Sequence, residues 1–231
     1  MHQLKDNLNA VEMRIQRACA AAGRPREAIT LIGVSKTQPV AQVQAAAELG
    51  LTDLGENYLH EALAKIEACA TRALTWHFIG RIQSNKTRDI ARHFDWVHTI
   101  DRSRVARRLS DQRPANKPLN ALVQVNIDAD PAKAGLPPAD VAELVTELVE
   151  LPGLVPRGLM TILATDSDAG ASYQSMAQLF GEIATRLRPA ERAQWDTLSM
   201  GMSHDLEAAI LHGATQVRIG TALFGAREAL S

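Results

Sequence analysis

Short apolar runs alternate with helical stretches along almost the whole chain, and this alternation is what most constrains the fold. Strand-like runs stand at "ITLIGVSK" (29–36), "LTDLGEN" (51–57), "TWHFIGRI" (75–82), "DWVHTID" (95–101), "NALVQVNID" (120–128), "VPRGLMTIL" (155–163), "DTLSMGMS" (196–203) and "TQVRIGT" (215–221). Helical stretches lie between most of them. "PVAQVQAAAELG" starts near Pro39 and is closed by Gly50, and "SHDLEAAILHG" places Ser203 as its N-cap and Gly213 as its stop. Alternating strands and helices imply a parallel sheet with right-handed crossovers. Eight such units predict a single (β/α)8 TIM-like barrel. A doubly wound sheet is the alternative, weakened because no G-x-G-x-x-G follows the first strand.

Ahead of the first strand, Leu4, Leu8, Val11, Ile15, Ala18 and Ala22 recur at helical spacing, with Gly23 and Pro25 as stop signals. This predicts an extra N-terminal helix over 1–23 and a barrel over 30–227, together one domain spanning 1–231. A chain of 231 residues with 46% hydrophobic types can bury such a core without staples.

Charge excludes several partners. Lys and Arg number 25 against 26 Asp and Glu, so neither nucleic acid nor an anionic membrane is called for. Residues 101–113 carry five arginines against two aspartates and read as a solvated helix face. No run approaches the ~18 apolar residues of a membrane span, and the N-terminus lacks an apolar signal core. Cys19 and Cys69 have no ligand spacing and read as buried thiols in a reducing compartment. A soluble, cytoplasmic protein is expected.

In a barrel of this kind the chemistry lies at the C-terminal ends of the strands. The residues there are Lys36, Glu56, Asn57, Gly80, Arg81, Asp101, Asn126, Thr161, "SMGMS" (199–203) and "RIGT" (218–221). The last two are small, hydroxyl-bearing loops after strands seven and eight, where such folds often bind phosphate. Backbone N–H groups, hydroxyls and helix N-termini there would hold a dianion. Lys36 ends the first strand. At an apolar mouth a desolvated lysine becomes a nucleophile for carbonyls. An amine facing a phosphate cup suits a phosphorylated carbonyl ligand, either pyridoxal 5'-phosphate (PLP) or a sugar phosphate bound as in a Schiff-base aldolase. Arg218, on the last strand, favours the former. An arginine facing a pyridine nitrogen cannot accept its proton, so the ring would stay largely unprotonated and a weaker electron sink. Glu56 and Asp101 read as residues that fix strand ends. His77 reads as a barrel-interior or strand-end histidine, no histidine has a trusted metal-ligand spacing, and Ser199 and Ser203 have no obvious histidine partner.

"IGVSKTQP", "LGENYLHEALAK", "WHFIGRIQSNKTR" and "LSMGMSHDLEAAILHGATQVRIGTALFGAR" together resemble the pyridoxal phosphate homeostasis proteins, the YggS/PROSC family, from Ile32 to Arg227. The resemblance implies a barrel similar to the N-terminal domain of alanine racemase. It implies a role in holding PLP and balancing its supply, without an established catalytic reaction. Lys36 then looks like the Schiff-base lysine and Arg218 like the partner of the pyridine nitrogen. Ser199, Ser203, Gly220 and Thr221 look like the phosphate cup, with the backbone of Met200 and Gly201 nearby, and Asn57 looks like a residue beside the ring. Two departures, Arg81 and the run from Thr161 to Asp168, are expected to lie outside the cup and the lysine and to touch rim shape and partner contacts.

The alternative function is a PLP-dependent amino-acid racemase. That reaction needs proton delivery on both faces of the substrate carbon. Lys36 would serve one face. The racemising relatives take a tyrosine from a second domain for the other, and no second domain is expected here after the eighth unit. Tyr58 and Tyr173 are the only tyrosines. The reading is therefore a carrier with an exposed cofactor, a monomer, with apo enzymes that use PLP as its partners.

Overall fold

The structure is a computed structural model that describes residues 2–225; the expected end of the barrel at 227 lies outside the described residues. It begins with α1 (His2–Ala21) and continues through β1 (Thr30–Val34), α2 (Val40–Glu48), β2 (Asp53–Glu56), α3 (Leu59–Ala68), β3 (Thr75–Phe78), α4 (Thr87–His93), β4 (Trp96–Ile100) and α5 (Ser103–Gln112). Then follow β5 (Leu119–Val125), α6 (Pro138–Leu148), β6 (Leu154–Thr161), α7 (Ala169–Arg186), α8 (Pro189–Arg192), β7 (Thr197–Ser199), α9 (Leu206–Leu211), β8 (Gln216–Ile219) and α10 (Thr221–Phe224). The eight strands close into a barrel in sequence order, all parallel, with β8 returning to β1. This is the expected TIM-like architecture with its extra N-terminal helix.

The local chemistry explains most boundaries. Pro39 sits at the N-cap of α2, and Gly50 follows the helix with φ of 91°, a left-handed conformation that glycine adopts without Cβ strain. Gly213 closes α9 in the same way at φ 94°. Ser203 is not the N-cap of α9. Asp205 takes that position, its Oδ1 accepts the Met202 N–H at 2.6 Å, and residues 203–205 form a turn ahead of the helix. The expected first strand is also shorter than its apolar run: it ends at Val34, and Lys36 stands in the turn beyond. The seven-residue α4 had no signal, because it buries only Thr87, Ile90 and Ala91, too few positions for a helical period to register.

On α5, Val105, Ala106 and Leu109 are buried while Arg107 pairs outward with Glu147 at 2.8 Å. The expected solvated face holds only in part: Arg104 and Arg107 are exposed, but Arg102 and Arg108 are half-buried and Arg113 is buried, its Nη1 donating to the Ala91 and Phe94 carbonyls. Cys19 and Cys69 are both free and buried. No helix among the described residues is long and apolar enough to cross a membrane.

Gly158 marks a bulge. Along the β5–β6 ladder Ala121 pairs with Pro156 but Leu122 with Gly158, so Arg157 is the extra residue. Gly158 has φ of 150°, and a Cβ there would lie 1.8 Å from the Thr197 carbonyl oxygen on β7. Gly158→Ala is therefore expected to destabilise the barrel by roughly 3 kcal/mol or more. Urea unfolding would show this as a lowered midpoint at unchanged slope, and an unchanged midpoint would refute the clash.

Candidate functional site

A cavity of about 270 Å³ opens at the C-terminal ends of the strands between the turn after β1 and the loops after β7 and β8. Lys36, Thr37 and Gln38 line it from the first turn, and Ser203, Gly220 and Thr221 from the later loops. Arg218 and Asn57 also line it, and Val34, Ile79, Ile162 and Met202 supply its apolar walls. Residues far apart in sequence thus meet in the predicted arrangement, an amine and a hydroxyl-bearing loop pair on one hollow.

The Lys36 turn is held from below. The Gln38 N–H donates to the Ser35 carbonyl at 3.0 Å, and Thr37 adopts φ of 65° at the third position of this turn. A β-branched residue is strained there, where glycine is usual. The surroundings impose it. Glu61 Oε1 accepts the Thr37 N–H at 2.5 Å. Lys65 Nζ donates to the Ser35 carbonyl at 2.6 Å, to Glu56 Oε1 at 2.7 Å and to Glu61 Oε1 at 2.5 Å. Ser35 Oγ also donates to Glu56 Oε1, at 2.6 Å. Glu56 is fully buried, and burial raises its pKa against the lowering effect of Lys65 and Ser35. Lys65 therefore has a structural office, while the Lys36 amine has no hydrogen-bond or ion-pair partner among the described residues. The sequence motif "LGENYLHEALAK" contains this cluster, since Glu61 and Lys65 stand four apart on one helix face. Its link to the Lys36 turn is visible only in three dimensions.

Arg218 is buried at 4% exposure. Its Nη1 donates to Ser199 Oγ at 2.8 Å and its Nη2 to the Thr161 carbonyl at 2.8 Å. Burial draws its pKa down to about 10, opposed by Tyr173 and Asp205, so it remains a cation at neutral pH. Asn57 Oδ1 is buried with no hydrogen-bond partner. Gly80 explains how Asn57 is seated: a Cβ at Gly80 would lie 2.1 Å from the Asn57 carbonyl oxygen.

The expected cup is narrower than the sequence implied. Ser203, Gly220 and Thr221 line the cavity, but Ser199, Met200 and Gly201 do not. The Met200 N–H is committed to the Gln216 carbonyl at 3.1 Å, and the Gly201 carbonyl to the Arg218 N–H at 3.0 Å. Ser199 is fully buried and has a histidine partner after all, His98 Nδ1 at 2.9 Å. That pair bridges β4 and β7 across the barrel, a separation of 101 residues that no spacing rule detects.

Of the other strand-end residues, Arg81 is exposed, Asp101 pairs with Arg102 at 2.8 Å, and Asn126 Nδ2 donates to the Asp130 carbonyl at 2.8 Å. Thr161 Oγ1 donates to the Val125 carbonyl at 2.8 Å. The run from Thr161 to Asp168 is not wholly outside the site, because its Ile162 forms part of the cavity wall. Tyr58 is 58% exposed, and Tyr173 is buried with its hydroxyl donating to Asp205 Oδ2 at 2.8 Å; neither lines the cavity.

The family model described as the alanine racemase N-terminal domain matches residues 7–228. A Pseudomonas aeruginosa protein described as a pyridoxal phosphate homeostasis protein is 50% identical over 229 residues, covering 99% of this chain and 97% of the relative. An Escherichia coli protein of the same description is 46% identical over 235 residues, covering 99% and 98%. Among solved structures, PipY of Synechococcus elongatus with PLP bound superposes with a TM-score of 0.77 at 33% identity, over 92% of this chain and 100% of PipY. Alanine racemase from E. faecalis shares the fold at a TM-score of 0.67 and 18% identity, over 94% of this chain and 58% of the racemase.

Proposed function

Since the chain belongs to the pyridoxal phosphate homeostasis protein family, we propose that it holds PLP in this cavity through a Schiff base on Lys36 and buffers and delivers the cofactor in the cytoplasm. The observation that carries the reading is the convergence of one unpartnered amine, a buried arginine and a hydroxyl-bearing loop pair on a single hollow. The residues fit the group. Asn57 offers a buried, unsatisfied side-chain oxygen at the wall, which a polar ligand atom would satisfy. When bound, the cofactor supplies an aldehyde to condense with the amine and a phosphate dianion to anchor it.

The chain's own residues do the rest. Lys36 presents its amine from a turn clamped by Glu61 and Lys65. Ser203 and Thr221 offer hydroxyls, and the Thr221 and Ala222 N–H groups at the start of α10 have no acceptor among the described residues, whereas those of Leu223 and Phe224 donate to the Gly220 carbonyl. Arg218 remains a donor-only cation and leaves a facing ring nitrogen without a proton. Val34, Ile79, Ile162 and Met202 exclude water from the sides.

A carrier fits better than a racemase, because neither Tyr58 nor Tyr173 lines the cavity to serve a second face. Free buried thiols suit a reducing compartment.

Delivery is tested by mixing the loaded protein with an apo enzyme that uses PLP, in the presence of a scavenger for free cofactor. Activity should recover faster than with the same concentration of free PLP. Recovery no faster than from free PLP would refute delivery and leave storage alone.

A further inference from the structure

A line of buried polar groups crosses the barrel interior beneath the cavity. Arg218 Nη1 contacts Ser199 Oγ at 2.8 Å, and Ser199 Oγ contacts His98 Nδ1 at 2.9 Å. His98 Nε2 contacts His77 Nδ1 at 3.0 Å, and His77 Nε2 contacts Asp53 Oδ1 at 3.0 Å. The five residues come from β8, β7, β4, β3 and β2. His77, His98 and Ser199 are each fully buried, while the Asp53 side chain at the N-terminal end of β2 is 21% exposed.

The two ends dictate the direction of every bond between them. Arginine only donates and an ionised carboxylate only accepts. Arg218 therefore donates to Ser199. The Ser199 proton then needs an acceptor, and His98 Nδ1 is the acceptor within reach. A proton on His98 Nδ1 would leave the serine hydroxyl with two donors and no acceptor among the described residues. His98 is thus neutral with its proton on Nε2, which it donates to His77 Nδ1. His77 in turn carries its proton on Nε2 and donates to Asp53. Burial, the neighbouring His77 and Arg218 hold His98 well below the usual histidine range, in keeping with a neutral ring.

We infer that Asp53, His77, His98 and Ser199 form a one-directional hydrogen-bond relay that positions the Arg218 guanidinium at the cavity, with Asp53 as its anionic terminus on the far side of the barrel. None of the first four lines the cavity, so they are positioning residues. Two of the five guanidinium N–H groups are fixed by the relay and the Thr161 carbonyl, which leaves the remaining donors aimed by the plane of the fork. The relay also accounts for Ser199, which is spent inside the barrel and not on the phosphate cup. Its effect on ligand binding rests on the proposed PLP site; its existence does not.

Two measurements decide the matter. Nitrogen-15 NMR of the histidine rings in the protein without PLP should show His77 and His98 both neutral and both protonated on Nε2. A proton on Nδ1 of either ring, or a charged ring, would overturn the relay. Asp53→Asn keeps an acceptor for His77 but removes the anionic end, at a position whose side chain is 21% exposed. It should weaken PLP binding about tenfold, the ratio that ~1.4 kcal/mol produces, and shift the visible band, while the unfolding midpoint moves little. His98→Leu should do the same and more strongly, and should move the His77 resonances. Unchanged PLP affinity and band in Asp53→Asn would refute the coupling to Arg218. If the unaltered protein binds no PLP, the proposed function fails, while the NMR result still decides the relay.

Discussion

Lys36→Ala protein is expected to lose the visible absorbance of bound PLP and to take no label on borohydride reduction. Lys36 is the only lysine lining the cavity among the described residues. The nearest rival along the fold, Lys65, is 2% exposed and spends its three protons on Ser35, Glu56 and Glu61. It has no donor left and no path to the hollow, so it cannot substitute. Arg218, Asn57 and the loops after β7 and β8 remain, so the variant should keep weak, reversible binding of PLP, down about 100-fold, the loss that ~2.7 kcal/mol corresponds to. The fold should be unchanged, because the amine makes no internal contact. Peptide mass spectrometry of the reduced, unaltered protein checks the assignment directly. A label on any peptide other than that of Lys36 would overturn it.

Lys65→Met is the harsher change. It removes the cation from beneath the Lys36 turn and strands Glu56, whose second oxygen already lacks a partner. Breaking a buried pair in this way costs about 3–5 kcal/mol. The loss should depend on pH with a definite sign. Burial already raises the Glu56 pKa, and removing Lys65 removes the largest opposing influence. A carboxyl whose folded-state pKa lies above its unfolded value binds its proton more tightly when folded. The variant is therefore least disfavoured in acid, and its deficit grows as pH rises through the folded-state pKa of Glu56. Urea midpoints compared with the unaltered protein at acid and neutral pH would show a larger gap at neutral pH. A gap independent of pH would mean that Glu56 is not the stranded group.

The barrel was legible in the sequence because each strand is buried on both faces and each helix on one, which writes an apolar run followed by a 3.6-residue period. Lys36, Asn57, Ser203, Arg218, Gly220 and Thr221 were legible because this fold collects strand ends on one face. Lys36 was misplaced only in that β1 ends at Val34, before the turn that presents it. The failures are instructive. Ser199 looked like a cup residue because it opens a hydroxyl-bearing loop and the family resemblance put it there, yet side chains alternate along a strand, and its own faces the barrel interior. Its histidine partner was missed for the same reason that the clamp on Thr37 was: both contacts join elements distant in sequence, 101 and 24 residues apart. Asp205 took the cap position of α9 from Ser203 because residues 203–205 form a turn ahead of the helix, closed by the Met202 N–H donating to Asp205 Oδ1.

The N-terminal helix lies outside the cycle of strands and helices, yet it touches both loops that border the cavity on one side. Asn7 Nδ2 donates to the Leu223 carbonyl in α10 at 2.9 Å, and Arg14 Nη1 donates to the Ser203 carbonyl at 2.9 Å. Arg14 also pairs with Glu207 on α9 at 2.7 Å. A ligand that steadies those loops must tighten the seat of α1 by the same free energy that α1 lends to holding the ligand, because linkage between two sites runs equally in both directions. A change that unseated this helix would therefore weaken the hold of the hollow on a ligand without entering it.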